Sequence, residues 1–464
     1  MRWRVWRPKR DKFGRREPSF LDSDKHHSAT MKKKSNWRMV FVGQTKKTRR
    51  LVRVTVLGIV ALTGAAQAQP VIAPAPSPVS LTPAAIEALG PGEMQVFPPN
   101  SALANFLDEL HPLQWGPVTL HPHATYQFVY SSGVRSSTNL PPSATIVQTF
   151  APGVLFVYGS HWTLDYTPSF TFYSDKNFKN TVGQSVSLTG GTVYEDWSLG
   201  LAQNFTYTSS PQVQTGTQTD QKTYTTSLSA SRALNSKMSV DLGVSQNLNF
   251  PSGFQSSKQW STMDWLNYQF WPRLVVGAGA GVGYVVATPN NLFEQLQGRV
   301  NWRATDKISF GLTGGAEFTQ FTDDGANSLI NPIFGGSIQY QPFDHTQFSL
   351  NASRSVNTSY FQNQITENTT LNGGVSQRLF ERYNLNVSGG YTWTTYVAAA
   401  NGTTANSASQ YYSINVSLGT TFLKRASVSV FYTYSQNTTA QAGVGQQGLG
   451  YSSNQIGFNV SYAF

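Results

Sequence analysis

The chain has 464 residues and no cysteine, and only 12% of its residues are Asp, Glu, Lys or Arg. Without cysteine it has no disulfide framework, no thiolate metal site and no cysteine nucleophile. The net charge of +11 suggests a nucleic-acid partner, but residues 1–53 hold 18 Lys and Arg against 4 Asp and Glu, and the remainder carries −3. Because the basic charge belongs to the N-terminus alone, we expect no nucleic-acid partner.

An export signal follows the basic block. Arg53 precedes an apolar run from Val54 to Ala66, and the sequence A-Q-A ends at Ala68. A charged segment, a short apolar run and small residues at the cleavage position predict a secretory signal peptide over residues 1–68, cut between Ala68 and Gln69. The run is too short for a membrane-spanning helix of about 20 residues. Three methionines are candidate translation starts: Met1, Met31 and Met39.

Residues 69–117 form the second predicted segment, which we expect in the periplasm. Residues 69–100 are rich in Pro and Ala, a composition typical of a flexible or extended tether. A short helix is predicted over residues 101–111, because four apolar residues there share one helical face. They are Leu103, Phe106, Leu107 and Leu110. This helix is a candidate plug for the domain that follows.

One pattern repeats from Val118 to Phe464, in which apolar or aromatic residues alternate with small or polar ones. A period of two predicts β-strands with one apolar face. The segments are about 12–15 residues long, whereas strands of soluble sheets have about 5–6. Such segments suit a tilted membrane crossing, and in a bilayer a sheet must close to pair all its backbone groups. We therefore predict an all-β, transmembrane, antiparallel up-and-down β-barrel over residues 118–464.

The connections predict the number of strands. Eight tight turns alternate with nine longer connections, and together they join 18 strands. In outer-membrane barrels the short turns face the periplasm. Two segments, residues 145–158 and 259–271, alternate poorly, so 16 strands is the alternative. The tight turns are predicted at residues 160–161, 195–196, 235–237, 272–273, 306–307, 343–345, 381–382 and 424–425.

The C-terminus resembles the final strand of Gram-negative outer-membrane proteins, with aromatic residues at alternate positions and a terminal Phe. The matching residues are Phe458, Val460, Tyr462 and Phe464. The resemblance implies that the barrel-assembly machinery reads this strand. A signal peptide, a tether and a large barrel together are similar to the β-barrel porin families of bacterial genomes. No outer loop is long enough to look like the infolded constriction loop of trimeric porins.

Few charged residues fall on the predicted lumen face. They are Asp165, Asp241, Arg299, Arg303, Glu317 and Arg378. One hypothesis is that Arg299 and Arg303, on one face of one strand, guide anions or sugars, since charged walls set pore selectivity. The alternative is that these are solvated charges with local partners.

Other motifs predict no chemistry. His121 and His123 alternate on the first strand, but two ligands without a nearby acid do not predict a metal site, and we expect no cofactor. Gly279, Gly281 and Gly283 share the inward face of a strand and predict space there for a loop or for the helix over residues 101–111.

Aromatic residues cluster near predicted strand ends. Their expected place is the aromatic girdle at each membrane interface. They are Trp162, Tyr194, Trp197, Trp260, Trp265, Trp271, Trp302, Tyr391 and Trp393. Tyr173 and Phe431 fall instead on the polar face and are candidates for an aromatic track that binds sugars.

The sequence thus predicts a bacterial outer-membrane protein, surrounded by lipid, through which small hydrophilic solutes or oligosaccharides diffuse. No constellation of residues predicts an enzyme. Two alternatives remain at this point: the outer-membrane component of a polysaccharide export system, suggested by residues 69–117, and a surface scaffold or adhesin. The oligomeric state is left open.

Overall fold

The computed structural model describes residues 113–134, 140–159, 161–211, 218–322, 328–398, 407–423, 425–439 and 450–463. Several predictions concern residues outside these ranges: the cleavage site at Ala66, Ala68 and Gln69, the tether up to residue 112, the candidate plug (Leu103, Phe106, Leu107 and Leu110), and Phe464.

Nineteen β-strands are present in the described residues. In chain order they are β1 (Leu113–Trp115), β2 (Val118–Val134), β3 (Ser143–Tyr158), β4 (Trp162–Tyr173), β5 (Thr181–Tyr194), β6 (Trp197–Pro211), β7 (Gln218–Ala233), β8 (Met238–Pro251), β9 (Ser257–Trp271), β10 (Leu274–Val286), β11 (Asn291–Thr305), β12 (Ile308–Phe321), β13 (Leu329–Phe343), β14 (Thr346–Thr358), β15 (Gln364–Leu379), β16 (Tyr383–Ala398), β17 (Ser407–Leu423), β18 (Ala426–Thr439) and β19 (Tyr451–Ala463). No helix in the described ranges is long and apolar enough to cross a bilayer.

The eighteen long strands, β2–β19, form a closed antiparallel barrel. Each pairs with its neighbours in chain order, and β19 pairs back onto β2, from Ala463 opposite His123 to Asn454 opposite Ser132. The prediction of 18 strands is confirmed. The alternative of 16 is wrong, because both poorly alternating segments form full strands, β3 and β9.

The two rims of the barrel differ. All eight predicted tight turns lie between consecutive strands at one end, which we call the short-turn rim. The longer connections lie at the other end, the loop rim. The first residue of β2 and the last residue of β19 both lie at the short-turn rim, as an even number of strands requires.

The two faces of the barrel wall have opposite character. Apolar side chains on the outside are strongly exposed, with Leu296 and Ile456 at 59% and Leu312 at 56%. Polar side chains inside are covered, with Asn267 at 1% and Arg299 at 5%. This is the reverse of a soluble domain, in which large apolar side chains are buried and charged ones exposed.

A short strand that the sequence pattern does not predict lies beside the line of closure. β1 turns at Gly116, which has a φ of 60°, and pairs with the beginning of β2, from Leu113 opposite Leu120 to Trp115 opposite Val118. The partner of β2 along most of this edge is β19, which reaches only as far as His123. β1 therefore covers part of the edge of β2 that β19 leaves open.

Three of the four residues in the predicted assembly signal line the same closing seam. Phe458 stacks on Phe128 with ring centroids 5.5 Å apart, and Val460 lies opposite Tyr126. Tyr462 lies opposite Ala124. Recognition of these residues during assembly stays a prediction.

Candidate functional site in the barrel lumen

A buried charge cluster lies on the inner wall across β8, β9 and β11. The Nε of Arg299 donates to Asn267 Oδ1 at 2.8 Å, and its Nη2 pairs with Asp241 Oδ2. Asn267 Nδ2 in turn donates to Asp241 Oδ2 at 2.8 Å, and the Ser231 hydroxyl donates to Oδ1 at 2.9 Å. Because Asp241 and Arg299 neutralise each other, the geometry favours the interpretation that these charges have local partners.

An aromatic ring covers the same guanidinium. The Cζ of Arg299 lies 4.4 Å from the centre of the Trp265 ring, within the range of a cation–π contact. Trp265 is only 4% exposed and faces inward. The prediction that Trp265 belongs to an interfacial girdle is therefore wrong: it was based on nearness to a strand end, whereas the alternation of β9 points this ring into the lumen.

The glycine-rich strand β10 makes room for this cluster. A Cβ at Gly279 would lie 2.6 Å from Cε3 of Trp265, and one at Gly277 would lie 2.7 Å from Asn267 Oδ1. A Cβ at Gly283 would overlap the ring of Phe293. The inward glycines are as predicted, but the side chains of the neighbouring strands β9 and β11 fill the space that the sequence suggested for a loop or helix.

A second polar group continues along the inner face of β11. Gln297 Nε2 donates to Gln295 Oε1 at 3.0 Å, and Gln295 Nε2 donates to Glu317 Oε2 at 2.7 Å. The Thr319 hydroxyl donates to the other carboxylate oxygen of Glu317 at 3.1 Å. Gln295, Gln297 and Arg299 thus form one continuous polar face along this strand.

Asp165 lies on a different part of the wall, beside a histidine. His123 Nε2 and Asp165 Oδ1 are 3.3 Å apart, and the Thr167 hydroxyl donates to the same oxygen at 2.8 Å. The sequence showed no acid near the two histidines, because Asp165 lies 42 residues from His123 and only the pairing of β2, β3 and β4 brings them together. Over the described ranges no group of three His, Asp or Glu residues could hold a metal ion.

The remaining two predicted lumen charges lie near the short-turn rim. Arg303 is exposed toward the end of β11, and Arg378 is exposed toward the end of β15, where its Nε donates to the carbonyl of Glu381 at 2.8 Å. Arg299 and Arg303 share a strand face, but one is buried in an ion pair and the other is exposed. They do not form a uniform basic ladder.

An apolar cluster fills part of the lumen toward the loop rim, on the other side from Arg299. Its residues are Val129, Val147, Tyr173, Phe178, Tyr411, Phe431 and Tyr451. Phe178 comes from the loop between β4 and β5, is 4% exposed, and stacks on Tyr173 at 5.2 Å. Because Tyr173 and Phe431 pack within this cluster, their rings are not the open aromatic track that the sequence suggested.

Hydrogen bonds hold the loop that carries Phe178. Asp175 accepts from the backbone N–H of Asn177 at 2.9 Å and from the Ser143 hydroxyl at 2.7 Å. These two bonds hold the pKa of the Asp175 carboxyl below its ordinary value, and the bond from the Asn177 N–H has the larger effect on that pKa. The two hydrogen bonds to the Asp175 carboxylate therefore contribute their full stabilisation above the ordinary Asp pKa of about 3.9. That stabilisation is lost as the pH falls through the lowered pKa of Asp175.

A second short loop also reaches inward. The loop between β14 and β15 contacts two other loops, where Gln255 N–H donates to the Tyr360 carbonyl at 3.1 Å and Asn363 N–H donates to the Thr288 carbonyl at 2.8 Å. Phe361 contacts the inward-facing ring of Tyr396, with centroids 6.4 Å apart. Loop length suggested no infolded segment, but two short loops narrow the lumen because each inserts an aromatic side chain.

The chain has distant structural similarity to solved outer-membrane proteins. No protein-family model and no curated protein sequence matches the chain. Among solved structures, the chain is similar to the outer membrane protein OpdK of Pseudomonas aeruginosa, with a TM-score of 0.42, 11% identity, and coverage of 74% of this chain and 99% of that one. OccAB3 of Acinetobacter baumannii has a TM-score of 0.43 and 8% identity, with coverage of 74% of this chain and 99% of that one. OccAB4 of the same organism has a TM-score of 0.41 and 12% identity, with coverage of 76% of this chain and 99% of that one.

Proposed function

We propose that the protein is a water-filled pore of the bacterial outer membrane, through which small hydrophilic solutes diffuse. One observation carries the proposal: a closed barrel of 18 strands is apolar outside and polar inside. A largely apolar exterior needs lipid around it, and barrels of 16–18 strands enclose an aqueous channel. The short-turn rim then faces the periplasm, and the barrel-assembly machinery is the partner expected for insertion.

The inner wall supports weak charge selectivity. Arg299 and Asp241 cancel each other, and Asp165 lies beside His123. Glu317 is 5% exposed and takes its hydrogen bonds from neutral side chains, while Arg303 and Arg378 lie toward the short-turn rim. With no single sign of charge along the whole wall, hydroxyl-rich neutral solutes such as small sugars suit the lumen as well as ions do.

Planar-bilayer recording tests this proposal. We expect the purified full-length barrel to give stepwise open-channel currents in KCl, with a reversal potential in a salt gradient well below that of an ideally selective pore. Sugars of increasing size should lower the conductance until they become too large to enter. Heat-denatured protein is the control. Absence of open-channel current would contradict the proposal, and current that appears only after deletion of residues 69–112 would favour an export component.

A further inference from the structure

The outward face of the barrel carries hydrogen-bonding side chains at middle depth on four neighbouring strands. They are Gln203 on β6, Thr226 on β7, Gln246 on β8 and Asp264 on β9. Residues an even number of positions apart on a strand face the same side, and each patch residue is related in this way to an exposed apolar residue that faces outward. Examples of these apolar residues are Leu228, Val244 and Leu266, whose exposed fractions are 48%, 49% and 47%. We call this set the polar patch.

The polar patch is only partly satisfied within the chain. The Thr226 hydroxyl lies 2.7 Å from Gln203 Oε1 and 3.3 Å from Gln246 Oε1. Both amide oxygens therefore share one donor, and neither Nε2 group donates to an acceptor within the described ranges. Asp264 Oδ1 accepts one long hydrogen bond, 3.4 Å from the backbone N of Gly243.

The barrel ladder is interrupted beside Asp264. Strands β8 and β9 pair at Asp241 with Trp265 and again at Val244 with Thr262, but not at Leu242 and Gly243 between them. The N–H of Gly243 turns to the Asp264 side chain instead. The carboxylate thus sits at a local break in the wall, where the chain offers it a single weak donor.

Hydrocarbon is a poor environment for this patch. Lipid tails offer no hydrogen-bond partner, and unsatisfied polar groups are costly in the hydrocarbon region. Ionisable residues at membrane depth usually contact protein or water rather than lipid. We propose that the outward face of β6–β9 is the interface of a two-fold symmetric dimer formed with a second copy of this chain.

The depths of the patch residues match such a dimer. Gln203 lies six residues from Trp197, the first residue of β6, and Asp264 lies seven residues from Trp271, the last residue of β9. Both strand ends are at the short-turn rim. A two-fold axis along the membrane normal preserves depth, so an axis between β7 and β8 brings Gln203 Nε2 opposite the partner's Asp264, and Gln246 opposite the partner's Thr226.

One patch is sufficient for a two-fold contact but not for a ring. A two-fold interface uses the same surface on both copies, whereas a cyclic trimer needs two different complementary surfaces. Elsewhere on the outward face of the described strands, Arg354 and Glu367 are 2.6 Å apart and pair with each other. Lys222 and Lys258 also face outward, but both lie toward the loop rim and not at the depth of Asp264.

The area of this face also suits a second copy. Four strands at about 4.8 Å spacing and an apolar band about 25 Å tall give roughly 500 Å² per copy, or roughly 1,000 Å² in total. That total is at the lower limit of specific interfaces.

Cysteine cross-linking tests the interface directly, because the natural chain has no cysteine. Leu228 on β7 pairs with Val244 on β8, next to the proposed axis, so Leu228→Cys should form disulfide-linked dimers on oxidation in native membranes. Val416→Cys lies outward on β17, on the far side of the barrel, and is the matched control, which should stay monomeric. No linked dimer from Leu228→Cys would overturn the proposal.

A second variant separates an interface from a lipid-facing surface. In mild detergent, Asp264→Leu should weaken dimerisation at least tenfold, measured as mass by light scattering, while the folded barrel remains heat-modifiable. If lipid covers this face, Asp264→Leu leaves the mass unchanged and stabilises the barrel, which would contradict the proposal, as would a trimeric mass for the natural protein. The inference rests on the membrane placement proposed above and not on conduction, so a non-conducting barrel that forms this dimer would refute only the pore.

Discussion

At the scale of single residues, the lumen wall shows how a membrane barrel tolerates buried charge. Arg299 is 5% exposed, and an unpaired charge there would be costly. Asp241, Asn267 and the Trp265 ring surround its guanidinium, and its Nε and Nη2 groups donate to partners within the wall. This arginine is a structural part of the wall rather than a free cation for a solute.

Two adjacent glycines of β12 give a matched test of packing inside and outside the wall. A Cβ on Gly315 would overlap the backbone carbonyl of Leu296, whereas one on Gly314 would meet nothing within 4 Å. We expect Gly315→Ala to lower the free energy of unfolding by about 1–3 kcal/mol, because backbone atoms must shift. Gly314→Ala should change it by less than about 1 kcal/mol. Urea unfolding in lipid vesicles measures both, and equal effects would contradict the assigned faces.

The sequence predicted residue orientation better than residue contact. A period of two is a local property, so Asp241 and Arg299 could be assigned to the inner face from the pattern alone. Their pairing was not predictable, because they lie 58 residues apart and meet only through the register of β8, β9, β10 and β11. Trp265 was misassigned for a related reason: aromatic residues suit either face, and the glycine of the neighbouring strand decides.

At the scale of elements, each long strand has one apolar face toward the outside of the barrel and one polar face toward the lumen. Val416 on β17 is 37% exposed on the outside, and Ser417, the next residue, faces the lumen. The period of such strands could be read from the sequence because successive side chains face opposite sides of the wall. Their length could be read because it follows from the thickness of the hydrocarbon layer. The three-residue strand β1 could not be predicted from the sequence, because it is too short to show a period of two.

This separation predicts opposite responses to charge at neighbouring positions. Val416→Arg places a cation on the lipid side and should cost roughly 2–4 kcal/mol if the residue lies near the bilayer midplane. Ser417→Arg places the same side chain in water and should cost less than about 1 kcal/mol. Folding equilibria in lipid vesicles compare the two variants. A larger loss from Ser417→Arg would mean that the faces of β17 are assigned the wrong way round.

At the scale of the whole molecule, the width of the lumen depends on a few side chains carried by short loops. Phe178 enters from the loop between β4 and β5, and Phe361 enters from the loop between β14 and β15. Neither loop was predicted to constrict the barrel, because loop length says nothing about where a single aromatic residue packs. Within the described residues, each of these two short loops therefore contributes one aromatic side chain to the lumen.

Removing one of these insertions should widen the pore. We expect Phe178→Ala to raise the single-channel conductance above the scatter of wild-type channels and to admit slightly larger sugars, since the ring occupies lumen space. Phe380→Ala is the control, because Phe380 is 86% exposed at the short-turn rim. Planar-bilayer recording under identical salt gives both values. Unchanged conductance for Phe178→Ala would show that the narrowest point lies elsewhere.

The short strand β1 has a consequence for how the cylinder is closed. A closed sheet can in principle slide along its seam, and each two-residue step changes the shear, the strand tilt and hence the diameter while keeping every side chain on its own face. Leu113–Trp115 already occupy the positions opposite Val118–Leu120. A slipped β19 that advanced along β2 would find those hydrogen-bonding groups taken. β1 thus limits how far β19 can advance along β2 and so restricts the register at which the barrel closes.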